Sequence, residues 1–118
     1  MPNHIDLPVH YLALLQALFA SHVPKAEVWA FGSRVTGQAH EGSDLDLVVR
    51  NPQDLTASVA GWHDLKEAIQ QSTLPILVDV HDWAHLPKAF HQNISARYVV
   101  LQHGTRSVNP ADPDGTGV

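Results

Sequence analysis

The sequence predicts an α/β (α+β) domain in which a small mixed β-sheet is flanked by helices. Short runs of β-forming residues alternate along the chain with segments of helical spacing. The chain has 118 residues, of which 44% are hydrophobic, and this suits one core but not two. It contains no cysteine, which excludes disulfides, thiolate catalysis and zinc bound by cysteine.

The first elements are a helix, a strand and a short turn. Residues 7–22 are predicted to be helical, because Pro8 suits a first helical turn and Pro24 follows the end. Apolar side chains point in every direction from this helix, which is typical of a buried one. Either the sheet covers half of this helix, or its second apolar stripe, formed by Leu14, Ala17 and Leu18, docks onto a partner. The sequence leaves both possibilities open. Residues 27–31 predict a strand, and residues 33–37 a short helical turn.

The middle of the chain predicts a second strand and a longer helix. Residues 44–49 are rich in β-formers and end before Asn51-Pro52. Residues 54–71 have apolar positions at helical spacing, with Asp54 as a suitable N-cap. Gly61 lies inside this predicted helix and weakens it.

The remaining residues complete the sheet and end in a tail. Residues 76–81 predict a third strand, and a last helix covers residues 85–96 before an apolar stretch at 98–101. The folded domain is therefore predicted to span residues 1–104. Residues 105–118 have Gly and Pro but almost no bulky apolar side chains, so we expect a disordered tail there.

Charge and hydropathy exclude several classes of function. The net charge is −5 with only 7 Lys plus Arg, which disfavours direct nucleic-acid binding but not binding of a single nucleotide. The longest apolar stretch, at residues 11–20, is too short to span a membrane. Residues 1–10 lack the pattern of a secretory signal, so a cytoplasmic location is expected.

Two carboxylates on the second predicted strand carry the main chemical signal. Side chains alternate between the faces of a strand, so Asp44 and Asp46 share one face, about 7 Å apart along the backbone. Leu45, Leu47 and Val49 share the opposite face and can pack into the core. Converging carboxylates repel each other, and a divalent cation with oxygen ligands relieves the repulsion.

A third carboxylate on the next strand completes a predicted metal site. Mg²⁺ commonly takes one or two carboxylates plus substrate phosphates, and a pair of metal ions can clamp an in-line displacement. If the third strand lies beside the second, Asp79 reaches the same site as Asp44 and Asp46. Asp82, at the end of that strand, is the fallback. The prediction is a two-metal site for Mg²⁺, with Mn²⁺ as an alternative ion.

A glycine-serine turn lies where the first strand ends. Gly32 lets the backbone approach a ligand closely, and the N–H groups of the following turn with the Ser33 hydroxyl can hold phosphate oxygens. Arg34 and Lys25 are candidate additional cations. The pattern therefore predicts nucleotide phosphates between an anion-binding turn and a metal-bearing strand.

This segment resembles a known family signature. Residues 31–49 contain Gly-Ser, ten residues, then Asp-x-Asp, as in the polymerase-β-type nucleotidyltransferases. The short chain, the Gly-Ser-Arg-x-x-Gly opening at residues 32–37 and the string at residues 43–49 resemble the minimal nucleotidyltransferase branch. Val78-Asp79-Val80 resembles that branch's third acid. The resemblance covers residues 25–101.

The resemblance implies a nucleotidyltransferase fold and a set of site residues. Asp44 and Asp46 would bind the metals, and Asp79 would complete the site or activate the acceptor hydroxyl. Thr36 stands where the family often has a second arginine, which is expected to weaken triphosphate binding or change nucleotide choice. The residues implied to bind the nucleotide are Gly32, Ser33, Arg34 and Ser43.

The resemblance also implies an activity and a partner. Members of this branch are often encoded beside a helical HEPN-type toxin and act as its antitoxin, in some systems by adenylylating a tyrosine of the toxin. The expected reaction transfers AMP from ATP onto such an acceptor. Two alternatives stay open: an antitoxin that neutralises its toxin by binding alone, and a nucleotidyltransferase that acts on a small molecule such as an antibiotic. The small size leaves little room for an acceptor-binding domain, which counts against the second alternative.

Histidines and tryptophans are not predicted to form a site of their own. The 9 histidines are scattered, and no pair has the spacing of metal ligands on a helix face. Only His81 would share the face of Asp79. Trp29, Trp62 and Trp83 are expected to lie in the core rather than to stack on bases.

Overall fold

A computed structural model describes residues 5–37 and 44–104, together with the backbone of 113–114 and 116–117. The helices are α1 (Val9–His22), α2 (Ser33–Thr36), α3 (Trp62–Gln70) and α4 (Lys88–Ala96), with a 3₁₀ helix at Trp83–His85. The strands are β1 (Glu27–Phe31), β2 (Leu45–Arg50), β3 (Val78–Asp82), β4 (Val99–Gln102), β5 (Pro113–Asp114) and β6 (Thr116–Gly117).

The predicted mixed sheet with flanking helices is confirmed. Four strands lie in the order β3-β2-β1-β4, and β5 pairs separately with β6. β1 is antiparallel to both β2 and β4, while β2 and β3 run parallel. The amino ends of β2 and β3 therefore lie at the same edge of the sheet, beside the carboxyl end of β1.

One face of the sheet carries the larger part of the core. Leu45, Leu47 and Val49 are fully buried there, which confirms the face predicted for them. Helices α1 and α3 cover this face, and their buried members are Leu15, Phe19, Leu65 and Ile69.

The second face is covered more sparsely. A smaller cluster contains Trp29, Phe31, Val48, Trp83 and Ile94. Ile94 is the buried residue through which α4 contributes to this cluster. Trp29 and Trp83 are buried, and Trp62 packs against the larger cluster, so their predicted place in the core is confirmed.

Within residues 5–37 and 44–104, helix α1 is buried along one side. It begins at Val9, after Pro8, and Leu15 and Phe19 are its buried residues. Val9 is 80% exposed, and Ala17 is exposed as well. The sheet thus covers an inner stripe, while the outer side of this apolar helix is left open. Among the described residues, no helix is both long and apolar enough to cross a membrane.

The predicted start of the second long helix is wrong. The expected range was residues 54–71, but α3 begins at Trp62. Gly61 has φ +90°, a left-handed conformation in which the chain turns before the helix starts. Asp54 caps a local turn instead of the helix, because its Oδ1 accepts hydrogen bonds from Thr56 N (3.0 Å) and Thr56 Oγ1 (2.6 Å).

The last predicted helix also begins late. Residues 85–96 were expected to be helical, yet Leu86 is extended, with φ −88° and ψ 144°, and α4 begins at Lys88. Pro87 explains this difference, since a proline disfavours helical backbone in the residue before it. The apolar stretch at residues 98–101 forms most of β4.

Asp82 is a structural residue rather than a fallback site carboxylate. Asp82 is only 2% exposed. It follows Asp79 by three residues in β3, so the two side chains lie on opposite faces of the sheet. Its carboxylate accepts hydrogen bonds from the Ser58 hydroxyl and from Val59 N (3.3 Å), and His85 Nδ1 lies 3.3 Å away. Asp82 therefore fixes the loop that precedes α3.

The third strand differs slightly from the predicted range of 76–81. It begins two residues later, at Val78.

The domain boundary predicted at residue 104 stays a prediction. The tail predicted at residues 105–118 lies outside the described residues, apart from the backbone of β5 and β6. Its disorder therefore stays a prediction.

We predict that Asp82→Ala lowers the free energy of unfolding by about 1–3 kcal/mol, because it leaves the Val59 N–H and the Ser58 hydroxyl without their buried acceptor. Urea denaturation measures the change. Asp54→Ala is the control, since Asp54 makes its turn on the exposed surface, and it should stay within about 0.5 kcal/mol of the wild type. An Asp82→Ala protein as stable as the wild type would show that this carboxylate does not fix the loop.

Candidate functional site

Two carboxylates meet on the second face of the sheet. β2 and β3 are in parallel register with Asp46 opposite Asp79, so the two side chains stand side by side. Asp46 is half-buried and Asp79 is exposed. The structure thus brings together the two acids that the sequence placed on separate strands, and it does so because the third strand lies beside the second.

Asp44 lies at the open edge of the same site. It directly precedes β2, is exposed, and is two residues from Asp46. Its charge acts on Asp46 and raises the pKa of that carboxyl. The three predicted acids therefore differ in burial: Asp46 is half-buried, whereas Asp44 and Asp79 are exposed to solvent.

The environment of Asp46 disfavours its negative charge. Burial raises the pKa of the Asp46 carboxyl above its ordinary value, and the neighbouring Asp79 and Asp44 raise it further, while His81 acts in the opposite direction. A cation bound beside Asp46 would remove this penalty. The site is thus electrostatically unfavourable by itself and suited to a positively charged ligand.

The glycine-serine turn lies directly against Asp46. Gly32 connects β1 to α2 with φ +85° and ψ −158°, a conformation that residues with a side chain rarely adopt. A Cβ at this position would lie 2.5 Å from Asp46 Oδ2. Ser33 is the first residue of α2. Only glycine therefore allows the turn to approach the carboxylate this closely.

Of the two candidate cations, Arg34 lies at the turn and Lys25 lies far from it. Arg34 is 7% exposed, and its Nη1 donates to Asp6 O at 2.8 Å, while Asp6 N donates to Arg34 O at 2.7 Å. This side chain ties the segment before α1 to the turn, and its contact with a triphosphate stays a prediction. Lys25 precedes the opposite end of β1, so the expectation that it adds charge to the site is wrong. Ser43 lies outside the described residues.

The carboxylates suit a metal ion that is bound together with a nucleotide. Among residues 5–37 and 44–104, no group of three or more His, Cys, Asp or Glu side chains is arranged to hold a metal ion by itself. The donors at this edge are carboxylate oxygens, which are the ligands of Mg²⁺, and Mg²⁺ takes part of its coordination from substrate phosphates and water. The residues fit such an ion, and their role as its ligands stays a prediction.

A cavity of about 480 Å³ lies at the other end of the sheet. It is lined by residues 22–26, 51–53 and 59–61, and none of the lining side chains is a carboxylate. Glu27 and Arg50 pair at this end of β1 and β2, whereas Phe31 pairs with Asp46 at the acidic end. This cavity is therefore separate from the group of acids.

Sequence reasoning missed an aromatic group beside the acids. The rings of Phe31, His81 and Phe90 lie near one another, with centroids 5.9–6.3 Å apart. Phe31 was assigned only to a strand, and Phe90 only to a helix. The signal available in the sequence was Phe31 itself, which directly precedes Gly32.

Comparisons with known proteins identify the family of this chain. The family described as "Nucleotidyltransferase domain" matches residues 14–101. A Haemophilus influenzae protein named "Probable protein adenylyltransferase MntA" is 40% identical over 106 residues, which cover 88% of this chain and 90% of that protein. A solved structure described as "Crystal structure of the toxin-antitoxin with AMP-PNP" has a TM-score of 0.63 at 22% identity, over 84% of this chain and 76% of that one, and it supports the fold.

The family match spans the described strands β1 to β3 and both segments that carry the acids and the turn. The Haemophilus relative extends the agreement over most of both chains. The chain therefore belongs to the nucleotidyltransferase domain family.

Proposed function

We propose that this chain is a metal-dependent adenylyltransferase that transfers AMP from ATP onto a tyrosine hydroxyl of a partner toxin of the HEPN type, and thereby acts as its antitoxin. The observation that carries the proposal is the meeting of Asp46, Asp79 and Gly32 at one edge of the sheet. The name of the Haemophilus relative supports a protein acceptor and an adenylyl group. The solved toxin-antitoxin structure, which contains AMP-PNP, supports a toxin partner and an adenine nucleotide.

The three carboxylates would have different roles in the reaction. Asp44 and Asp46 would hold Mg²⁺, or Mn²⁺ in its place, with the triphosphate oxygens. When bound, the metal would neutralise charge on the phosphates and on the carboxylates. Asp79 is exposed beside Asp46, where it would either join the ligands or accept the acceptor's proton. As the hydroxyl oxygen bonds to the α-phosphorus, the bond from that phosphorus to the bridging oxygen breaks and pyrophosphate leaves.

The turn would hold the leaving phosphates. Gly32 brings the backbone against the carboxylate of Asp46, so a phosphate bound at the turn lies next to the metal ligands. Backbone N–H groups and the Ser33 hydroxyl would donate to its oxygens. The nearness of turn and acid supports a single site for both ends of the triphosphate.

The outer side of α1 would bind the partner. This helix is apolar along its length, yet Val9 and Ala17 are exposed and Leu14 is half-buried. Leu18 packs against the core, so it belongs to the inner side. Apolar surface left open on a small domain supports an interface with another protein. The same surface favours the second candidate, an antitoxin that acts by binding alone.

We predict that Asp44→Asn combined with Asp46→Asn lowers transfer at least about 100-fold, since the substitutions remove two proposed metal ligands. Transfer is measured as labelled AMP incorporated into the partner, with Asp64→Asn on α3 as the control. Asp64 is exposed in the first turn of a helix on the other face of the sheet, and its variant should transfer at the wild-type rate. A double variant that transfers as fast as the wild type would contradict the assignment.

The double variant should fold, with a melting temperature at neutral pH equal to or above that of the wild type. The pKa of Asp46 is raised by burial and by its acidic neighbours, so its charge opposes folding above that pKa. Below it the wild-type carboxyl is neutral as well, and the difference in melting temperature contributed by Asp46 should shrink as the pH falls. A variant markedly less stable than the wild type at pH 7 would argue against this electrostatic account.

We predict that Gly32→Ala abolishes measurable binding of Mg²⁺–ATP, because its Cβ would displace the Asp46 carboxylate. Gly37→Ala is the matched control: Gly37 also has φ +85°, but a Cβ there meets no atom of residues 5–37 and 44–104 within 4 Å. Both variants carry backbone strain, and only the first blocks the turn. Calorimetric titration with ATP separates them, and equal affinities in Gly32→Ala and the wild type would show that the turn is not a phosphate site.

We predict that Leu14→Asp combined with Ala17→Asp weakens the complex with the toxin at least about tenfold while preserving nucleotide binding, since charges would enter an apolar interface. The measurement is co-purification with the neighbouring gene product, then intact-mass analysis after incubation with Mg²⁺ and ATP. Ala60→Asp is the control, because it places a charge at an exposed position of the loop before α3, outside α1.

The same experiment separates the two candidate functions. An adenylyl group added to the partner, and absent with the Asp44/Asp46 variant, supports transfer. A stable complex without any mass shift would favour neutralisation by binding alone. A chain that forms no complex with the gene product would contradict both.

A further inference from the structure

Three aromatic rings from separate elements meet on the sheet face that carries the acids. Phe31 ends β1, His81 lies in β3 and Phe90 in α4. The ring centroids are 5.9 Å apart for Phe31 and His81, 6.1 Å for His81 and Phe90, and 6.3 Å for Phe31 and Phe90. We call these three side chains the ring cluster. Helix α4 therefore brings an aromatic residue onto the two that the sheet presents.

The sheet register fixes the ring cluster beside the acids. Phe31 is opposite Asp46 across β1 and β2, and Asp46 is opposite Asp79 across β2 and β3. His81 follows Asp79 by two residues, so it lies on the same face about 7 Å farther along the strand. A ligand whose phosphate lies at Asp46 can thus reach the ring cluster with the group attached to that phosphate.

The ring cluster is partly open to a ligand. Phe31 is 9% exposed and His81 is half-buried, but Phe90 remains 39% exposed. The Phe90 ring meets Phe31 edge-on, with an interplanar angle of 82°. Such contacts hold the ring in place while part of its surface stays uncovered. Phe90 is therefore a positioned apolar surface rather than a buried core residue.

We propose that the ring cluster seats the nucleobase of the bound triphosphate, with Phe90 as its main contact. This inference rests on the proposed function, because it takes the phosphates to lie between Gly32 and the acids. The β- and γ-phosphates lead toward the turn, so the ribose and base extend from the α-phosphate along the sheet face. All three rings belong to this chain, and the seat therefore forms without a partner. Stacking on aromatic rings accepts any base, and a purine covers more of the ring surface than a pyrimidine.

The test compares two ligands that share phosphates but differ in the base. Calorimetry on the full chain with Mg²⁺ gives affinities for ATP and for inorganic tripolyphosphate. Phe90→Ala should weaken ATP binding by about 5- to 100-fold, the range expected for loss of base stacking, and leave tripolyphosphate binding unchanged. Phe90→Trp should restore the affinity for ATP. Leu55→Ala is the matched control, because Leu55 is 40% exposed in the loop before α3 and should affect neither ligand.

Each outcome decides between the inference and the proposed function. Unchanged ATP affinity in Phe90→Ala overturns the base seat and leaves the proposed function standing. An equal loss for ATP and tripolyphosphate also overturns it, since Phe90 would then support the phosphate site. A wild-type chain that binds neither ligand overturns the proposed function and the base seat together.

Discussion

The parallel pairing of β2 with β3 determines where both the core and the acids lie. Leu45, Leu47 and Val49 must be buried on one face, and Val78 and Val80 are buried beside them. Because side chains alternate with a period of two, a slip of one residue would bury acids and expose this core. Hydrophobic burial on one face therefore fixes the position of Asp46 and Asp79 on the other.

The second face is organised around a local electrostatic penalty. Asp46 is half-buried next to other acids, and Gly32 presses against its carboxylate. Such an arrangement lowers stability by itself, whereas a bound cation and phosphate would turn it into a favourable one. The larger cluster under α1 and α3 offsets the penalty, and the smaller cluster under α4 leaves the acids accessible.

The sequence was most informative where a short pattern determines local geometry. The alternation in residues 44–49 predicted the inner and outer faces of β2, and the bounds of β1 agree with its run of β-formers. The Gly-Ser turn was also placed correctly between a strand and a short helix. The resemblance to nucleotidyltransferases rested on these same segments, and the family match confirms it.

The errors arose where the backbone conformation of one residue or contacts between distant residues decide the outcome. The spacing of apolar residues predicted that the second long helix begins at Asp54. The left-handed backbone at Gly61 prevents the helix from including the residues before it. The burial of Arg34 and its bond to Asp6 O were also not visible in the sequence, and its contact with a triphosphate stays a prediction. The ring cluster was not predictable, because Phe31 and Phe90 meet only after α4 folds back over the sheet.

Paramagnetic broadening of backbone amide signals by Mn²⁺ shows where the metal–nucleotide site lies. With nucleotide present, we expect the NMR signals of Gly32, Ser33, Asp44, Asp46 and Asp79 to broaden first. Amide signals of the non-proline residues in 22–26 and 51–53, around the cavity at the opposite end of the sheet, should stay sharp. Broadening centred on that cavity, or none at any position, would show that the site does not lie at the acids.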